Sequence, residues 1–524
     1  MEQWLFMTAA LTRRKYNMML QRCSAVASRS LPAGSRRILS SLPQAIVVPE
    51  PPSSVNSIPT QSQIAGNAGA VIRDVGCTRR VFLANPHLST DEIEGLAYRI
   101  KMLTQSTALN SVLIASTNDD DTATGALPSS IMEFENKFSQ DNGRHDDFVF
   151  LFSSGYDALE LYESSRHKDV AHLQRLLDAL GDLATATRGD STTTRIPVIT
   201  LPHGLVHDGG YALCLGGFVL ATQDTCFRVL NPSKGLSFDP IGLSFILPRL
   251  GWEYNQLSAE YTGCGLLLAL TGMEANFSDM METGLATHFV GDVNIVPMLE
   301  RALGEMPPWE QQGLMPRPKT YYGSTEDLGD YNAMYRNIGV GNLIHAFSSY
   351  NAEGKDLYIK NEAYYNMDDN PSIDLDYTPV QVNRESDLVN FAATFDDVFR
   401  REKSVEGIME SLGEIGARHS SDPEEMEGIA VANDLFERMK RQSPLALRVI
   451  YTLMERGSSR SEKLETCIER EKQAQLNLFQ HADFEKWARH EQANSSKEGQ
   501  YFTNWTYKTV AEVPQAQVDE IIGR

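Results

Sequence analysis

The chain has 524 residues, with 47 Lys and Arg against 69 Asp and Glu, and a formal net charge of -22. With 42% hydrophobic and 22% charged residues it has ordinary globular composition and room for roughly two to four domain-sized cores, which excludes collagen-like, coiled-coil and wholly disordered chains. No apolar stretch approaches the roughly 18–20 residues that span a bilayer, and the net charge gives phosphate backbones no general attraction, so neither a membrane nor direct nucleic acid is an expected partner.

The first 39 residues depart from that average. They carry seven basic side chains (Arg13, Arg14, Lys15, Arg22, Arg29, Arg36, Arg37) and one acid, Glu2, among Met, Leu and Ser, the composition of a mitochondrial transit peptide. A cut near Leu39 removes seven positive charges and one negative charge, taking -22 to -28. Residues 40–70 are Pro- and Ser-rich and are expected to form a disordered linker. Six cysteines (Cys23, Cys77, Cys214, Cys226, Cys264, Cys467) lie far apart without a CxxC pair, so neither a disulfide framework nor a zinc ribbon is expected.

From Val71 apolar residues alternate as in a strand. Ser89-Thr90-Asp91-Glu92 has the form of a capping box, and Ile93, Leu96, Ile100 and Leu103 then form the stripe of an amphipathic helix ending near Gln105. Val112–Ala115 and Phe148–Phe152 read as buried strands flanking a polar, flexible insertion at 118–147. A second amphipathic helix carries Val170, Leu173, Leu177 and Leu180. The apolar strand Ile196–Leu201 follows and runs into Pro202-His203-Gly204. Fully apolar strands alternating with helices predict an α/β core with a buried sheet over residues 71–330. Residues 331–524 read as a mainly helical region with an acidic insertion at 353–377. In it Asp422-Pro423 and Ser443-Pro444 open helices, the second of which stops at Gly457.

Two turns could carry chemistry. Phe152-Ser153-Ser154-Gly155-Tyr156-Asp157 leaves a strand through a glycine, and His203-Gly204-Leu205-Val206-His207-Asp208-Gly209-Gly210 ends at an expected helix start. Glycines there let backbone approach a ligand and point free N–H groups at it, as an oxyanion requires. A metal pair at His203 and His207 is rejected, because Pro202 and Gly204 break a continuous helix face and no zincin acid follows.

In order, these turns, Asn231-Pro232-Ser233, Leu247-Pro248-Arg249-Leu250, Ala269-Leu270-Thr271-Gly272 and Thr283-Gly284-Leu285-Ala286-Thr287-His288-Phe289-Val290 resemble the enoyl-CoA hydratase/isomerase (crotonase) superfamily. Within it they are most similar to the 3-hydroxyisobutyryl-CoA hydrolases, together with Ser443-Pro444, Asp483-Phe484 and Trp505. The resemblance implies a crotonase-like spiral of ββα units followed by a mainly helical C-terminal region. It also implies an acyl-CoA thioester as ligand and no cofactor beyond the coenzyme A of the substrate. By the family pattern the backbone N–H groups of Ser154 and Gly209 form the oxyanion hole, and Gly155, Asp157 and Gly210 bind substrate. The family's Pro-Glu dipeptide is Pro232-Ser233 here, so Ser233 stands where an essential carboxylate is missing. A second carboxylate falls on Asp239 in the preferred register and on Pro240 in the other. The hydratase carboxylate falls at Ala212, so hydratase activity is not expected. His207 or Asp208 could replace the missing base, although an exposed polar turn is the commoner role.

The resemblance leaves three readings open. One is a mitochondrial matrix hydrolase of valine catabolism that releases 3-hydroxyisobutyrate and CoA. Another is a catalytically degenerate structural protein with mitochondrial ribosomal proteins as partners, since relatives of this family are built into the mitochondrial small ribosomal subunit in some eukaryotes. The third is an acyl-CoA sensor or a thioesterase of different acyl specificity.

Overall fold

The structure, a computed structural model, describes residues 70–83, 85–116, 151–159, 161–189, 196–250, 263–290, 296–308, 338–348, 388, 391, 394–400, 404–494 and 501–523. The expected transit peptide (1–39), nearly all of the linker (40–70) and both insertions (118–147 and 353–377) lie outside the described residues.

Two sheets form the core. Strands β1 (Ala70–Val75), β2 (Thr78–Leu83), β3 (Ser111–Ser116), β5 (Val198–Leu201), β7 (Phe218–Ala221) and β10 (His288–Phe289) make a six-stranded sheet in the order β1-β2-β3-β5-β7-β10. A four-stranded sheet has the order β4 (Leu151–Ser153), β6 (Leu205–His207), β8 (Cys226–Arg228), β9 (Ala275–Asn276). The chain gives one strand to each sheet in turn: β3 then β4, β5 then β6, β7 then β8. Within each sheet these strands pair in parallel, with Val112 opposite Val198 and Leu205 opposite Cys226. This is the expected spiral of ββα units.

Helix α1 (Thr90–Thr104) starts where the capping box placed it. Ser89 accepts from the Glu92 N–H and the Glu92 carboxylate accepts from the Ser89 N–H. It buries Ile93, Leu96 and Ile100, and each fully buried side chain of this size contributes about 1.5–3 kcal/mol. After the short α2 (Leu161–Arg166), α3 (Val170–Arg188) packs along α1 and buries Leu173, Leu177 and Leu180. Two boundaries differ from expectation. Strand β5 begins at Val198 because Pro197 precedes it, and the element after His207 is a 3₁₀ turn, Asp208–Cys214, rather than an α-helix.

Short helices α4 (Leu243–Ile246), α5 (Cys264–Thr271) and α6 (Phe277–Thr283) close the core, and α7 (Val296–Glu305) and α8 (Ile338–Phe347) pack on the six-stranded sheet. The C-terminal region is helical: α9 (Asp396–Phe399), α10 (Val405–Gly416), α11 (Pro423–Arg441), α12 (Pro444–Gly457), α13 (Leu464–Phe479), α14 (Ala482–Asn494) and α15 (Gln515–Ile521). Ser443 caps α12 as expected. The same hydroxyl donates to Asp483, which also accepts from the Thr506 N–H, while the Trp505 indole donates to the Arg441 carbonyl. Arg249 of the Leu-Pro-Arg-Leu segment reaches from the core to the carbonyls of Gly457 (2.7 Å) and Ser459 (3.0 Å). Among the described residues no helix is long and apolar enough to cross a membrane.

Candidate active site

Parallel strands β4, β6 and β8 end side by side, and ligands of α/β sheets gather at such carboxyl ends. The turns leaving β4 and β6 touch backbone to backbone. A Cβ on Gly210 would lie 2.1 Å from the Ser153 carbonyl oxygen, and one on Gly155 would lie 2.6 Å from the Gly209 carbonyl carbon. Gly155 also has φ +83°, where a side chain is strained. Both glycines are therefore required by the approach of the two turns.

Asp239 enters from the segment after β8. Its carboxylate is fully buried, and a Cβ on Gly209 would lie 3.2 Å from its Oδ2, so it is Asp239 and not Pro240 that faces the Gly209 turn. Three donors surround this carboxylate: the Tyr156 hydroxyl at 2.7 Å, Asn231 Nδ2 at 3.0 Å and Gln475 Nε2 at 3.0 Å. Burial, and then the Asp208 charge, raise its pKa from 3.8 to about 6. Burial and Asp239 push the Tyr156 phenol well above its ordinary value, so it stays a donor.

Ser154 is 3% exposed, and its N–H donates to the Pro86 carbonyl at 3.1 Å. The expected oxyanion donor is thus engaged within the chain. Its hydroxyl lies 2.5 Å from His87 Nδ1, and burial lowers the pKa of that imidazole. Ser233 is exposed on a 3₁₀ turn, where its hydroxyl donates to the Leu230 carbonyl at 2.7 Å.

His207 and Asp208 do not form the exposed turn the sequence suggested; they are 3% and 2% exposed. Asp208 adopts φ +49°, a strained conformation held in place by what its carboxylate accepts. The Leu230 N–H (2.8 Å), the Asn231 N–H (2.9 Å) and Lys234 Nζ (2.9 Å) all donate to it, and its Oδ2 lies 3.0 Å from His207 Nδ1. Burial carries the His207 pKa down to about 4, and the Lys234 charge holds the Asp208 carboxyl well below the usual range. His203 pairs elsewhere, with Thr222 Oγ1 at 3.0 Å.

Asp157 accepts from the Leu159 N–H and borders a cavity of 240 Å³ with Leu88, Ser89, Tyr156, His172 and Arg175 among its other lining residues. Asp239 does not line it. The structure thus brings Ser154, Gly155, Asp157, Gly209, Gly210 and Asp239 together and leaves Ser233 at the surface. Sequence reasoning missed Tyr156, Asn231, Lys234 and Gln475. The first three lay inside quoted or adjacent motifs but their side chains were given no role, and Gln475 lies 236 positions beyond Asp239.

The family model for enoyl-CoA hydratase/isomerase matches residues 149–328 and 364–522, more than half of the chain. Among curated proteins the chain is 33% identical over 108 residues to the Arabidopsis thaliana "Probable 3-hydroxyisobutyryl-CoA hydrolase 2", covering 20% of this chain and 26% of that protein. It is 36% identical over 115 residues to the Xenopus tropicalis "3-hydroxyisobutyryl-CoA hydrolase, mitochondrial", covering 22% and 27%. The matches therefore span about a quarter of the length of these relatives. Of solved structures, a carnitinyl-CoA dehydratase from Mycobacterium thermoresistibile superposes with TM-score 0.57 at 16% identity, over 87% of this chain and 97% of that one. An enoyl-CoA hydratase from Rhodobacter sphaeroides 2.4.1 gives 0.53 at 14% identity over the same shares. These two likenesses show the fold, which is the crotonase fold. The chain belongs to the enoyl-CoA hydratase/isomerase family.

Proposed function

We propose that this protein is a family member whose thioester site is closed and that it serves as a structural component, with the mitochondrial small ribosomal subunit as its assembly, rather than as a 3-hydroxyisobutyryl-CoA hydrolase. The observation that carries this reading is the Asp239 carboxylate, which is fully buried and accepts hydrogen bonds from Tyr156, Asn231 and Gln475 of the chain itself. A general base must come within about 2.6–3.2 Å of the proton it takes, and here protein donors take both acceptor positions of Oδ1 and one of Oδ2.

Magnitudes support the reading. A lost acid/base group costs about 10²–10⁴ in rate, and an engaged oxyanion donor costs about 10²–10³. Together they take a turnover of about 10 s⁻¹ to about 10⁻³–10⁻⁶ s⁻¹. The relatives' printed names include "mitochondrial", and the basic first 39 residues fit import to the matrix. A remainder of charge -28 favours protein partners over direct RNA contact.

The test has two arms. Residues 40–524 are expected to release no thiol from 3-hydroxyisobutyryl-CoA above the uncatalysed rate, and the native protein is expected to co-sediment with mitochondrial small subunits through a sucrose gradient at high Mg²⁺. Efficient thiol release by a protein found only in the soluble matrix fraction would refute the reading. One observation favours a hydrolytic alternative: Asp239 keeps its place beside the Gly209 turn, so an opened site would still hold a carboxyl group there.

A further inference from the structure

Helix α13 reaches the candidate site with three residues spaced one turn apart on one face: Glu471, Gln475 and Phe479, all fully buried. Each holds a different part of the site. Glu471 accepts from the N–H groups of Gly242 (2.7 Å) and Ser244 (2.6 Å). Gln475 uses both ends of its amide. Its Oε1 accepts from the Ser237 N–H at 2.9 Å, and its Nε2 donates to Asp239 Oδ1 at 3.0 Å and to the Tyr156 hydroxyl at 3.3 Å. Phe479 meets the Tyr156 ring edge to face, with centroids 6.2 Å apart.

Chemistry fixes the orientation of the Gln475 amide. Turned over, its NH₂ would face the Ser237 N–H and its carbonyl would face a carboxylate, leaving groups on both sides unsatisfied. Tyr156 is held at its ring by Phe479 and at its hydroxyl by Asp239 and Gln475. Its Cε1 lies 3.4 Å from where a Gly209 side chain would begin. The phenol therefore fills the space beside the two glycine turns, and two of its three fixings are residues of α13.

We propose that α13 is a latch and that Gln475 is its positioning residue: by donating to both Asp239 and the Tyr156 hydroxyl it braces their direct hydrogen bond and keeps the phenol seated in the site, and release of α13 opens that space to a short-chain acyl thioester. The latch rests on the reading that the site is closed. It adds that the closure is reversible and is set by the C-terminal helix.

The full chain is titrated with acetyl-CoA by isothermal calorimetry in four forms: wild type, Tyr156→Gly, Gln475→Glu and Phe479→Ala. Gln475→Glu keeps the acceptor for the Ser237 N–H and turns the donor facing Asp239 and Tyr156 into an acceptor, so it attacks the latch specifically. Phe479→Ala loosens the ring without burying a charge and serves if Gln475→Glu fails to fold. Wild type is expected to give no binding heat. Tyr156→Gly and the latch variants are expected to bind at least about tenfold tighter than wild type. The latch variants are also expected to lose amide exchange protection across residues 237–244 while keeping wild-type far-UV circular dichroism. Binding by Tyr156→Gly with none by either latch variant overturns the latch and leaves the closed site standing. Binding by wild type as tight as by Tyr156→Gly overturns the closed site and the latch with it, and no binding by any variant overturns the latch.

Discussion

Glu471→Gln isolates the cost of burying one carboxylate. The Glu471 side chain is fully buried, and burial raises its pKa from 4.5 to about 7 against the pull of the Gly242 and Ser244 donors. The unfolded chain releases this proton near its ordinary value, whereas the folded chain keeps it until about pH 7. Between those values the folded state binds more protons, so this group's contribution to stability falls as pH rises and stays low above the window. The full difference is about 3 kcal/mol, most of which develops between pH 5 and pH 8. A glutamine does not titrate, so whatever its fixed effect on the Gly242 and Ser244 bonds, that effect is the same at both pH values. Urea midpoints of wild type and variant, measured at pH 5 and at pH 8, are therefore expected to shift relative to each other by about 2–3 kcal/mol in the variant's favour at the higher pH. Parallel curves with a pH-independent gap would refute the claim that Glu471 is a buried carboxyl that ionises at a cost.

Further outcomes follow from the same geometry. Gly210→Ala is expected to fail to fold or to lose order at both turns, because its Cβ would meet the Ser153 carbonyl at 2.1 Å; Gly95→Ala in α1, with nothing within 4 Å, is expected to raise stability by about 0.5–1 kcal/mol in the same urea assay. Lys234→Met leaves the buried Asp208 without its cation and is expected to cost about 3 kcal/mol, partly recovered in the Lys234→Met/Asp208→Asn double variant. Asp239→Asn turns an NH₂ towards one of three donors at a cost of about 1–3 kcal/mol. The protonated carboxyl of wild type faces the same mismatch below its pKa of about 6 and becomes a costly buried carboxylate above it, so the variant's stability is expected to gain about 2–3 kcal/mol relative to wild type between pH 4 and pH 8, with thiol release unchanged. A folded Asp239→Asn protein that lost thiol release shown by wild type would instead make Asp239 a catalytic residue.

Features encoded within a few residues were legible in the sequence. Ser89 and Glu92 announced the start of α1, the apolar spacing from Ile93 to Ile100 gave its buried face, and Ser443-Pro444 opened α12. The ordered glycine turns marked a close backbone approach, which demands glycine, and Gly155 and Gly210 do meet the facing turn. What fills the site was not legible, because it depends on side-chain direction and on distant chain. Tyr156 sat in plain view inside a motif, yet whether its ring pointed to solvent or into the site is set by Phe479 and Gln475, more than 300 positions away. Amphipathic spacing in α13 could mark a helix but not its partner. Asp208 was misjudged for a similar reason: a polar residue before two glycines reads as a surface turn until Lys234 and two backbone N–H groups from the next turn fold over it.

The polar residues on α13 follow from the backbone they face. Segment Ser237–Ser244 turns sharply, with Gly242 at φ +90°, and α4, which begins at Leu243, leaves its first N–H groups without intrahelical partners as every helix does. The N–H groups of Ser237, Gly242 and Ser244 therefore need acceptors from elsewhere, and each would cost about 1–3 kcal/mol if buried unpaired. An apolar α13 would bury more hydrocarbon but leave three such donors unmet. Glu471 and Gln475 meet them directionally, which fixes the helix in one register against the core, as uniform apolar packing does not. Gln475 then has an amide NH₂ left over, and Asp239 is the acceptor within its reach. The Asp239 carboxylate is thereby taken up in joining the core to the C-terminal region, so under the proposal of a closed site the docking of α13 is what closes it.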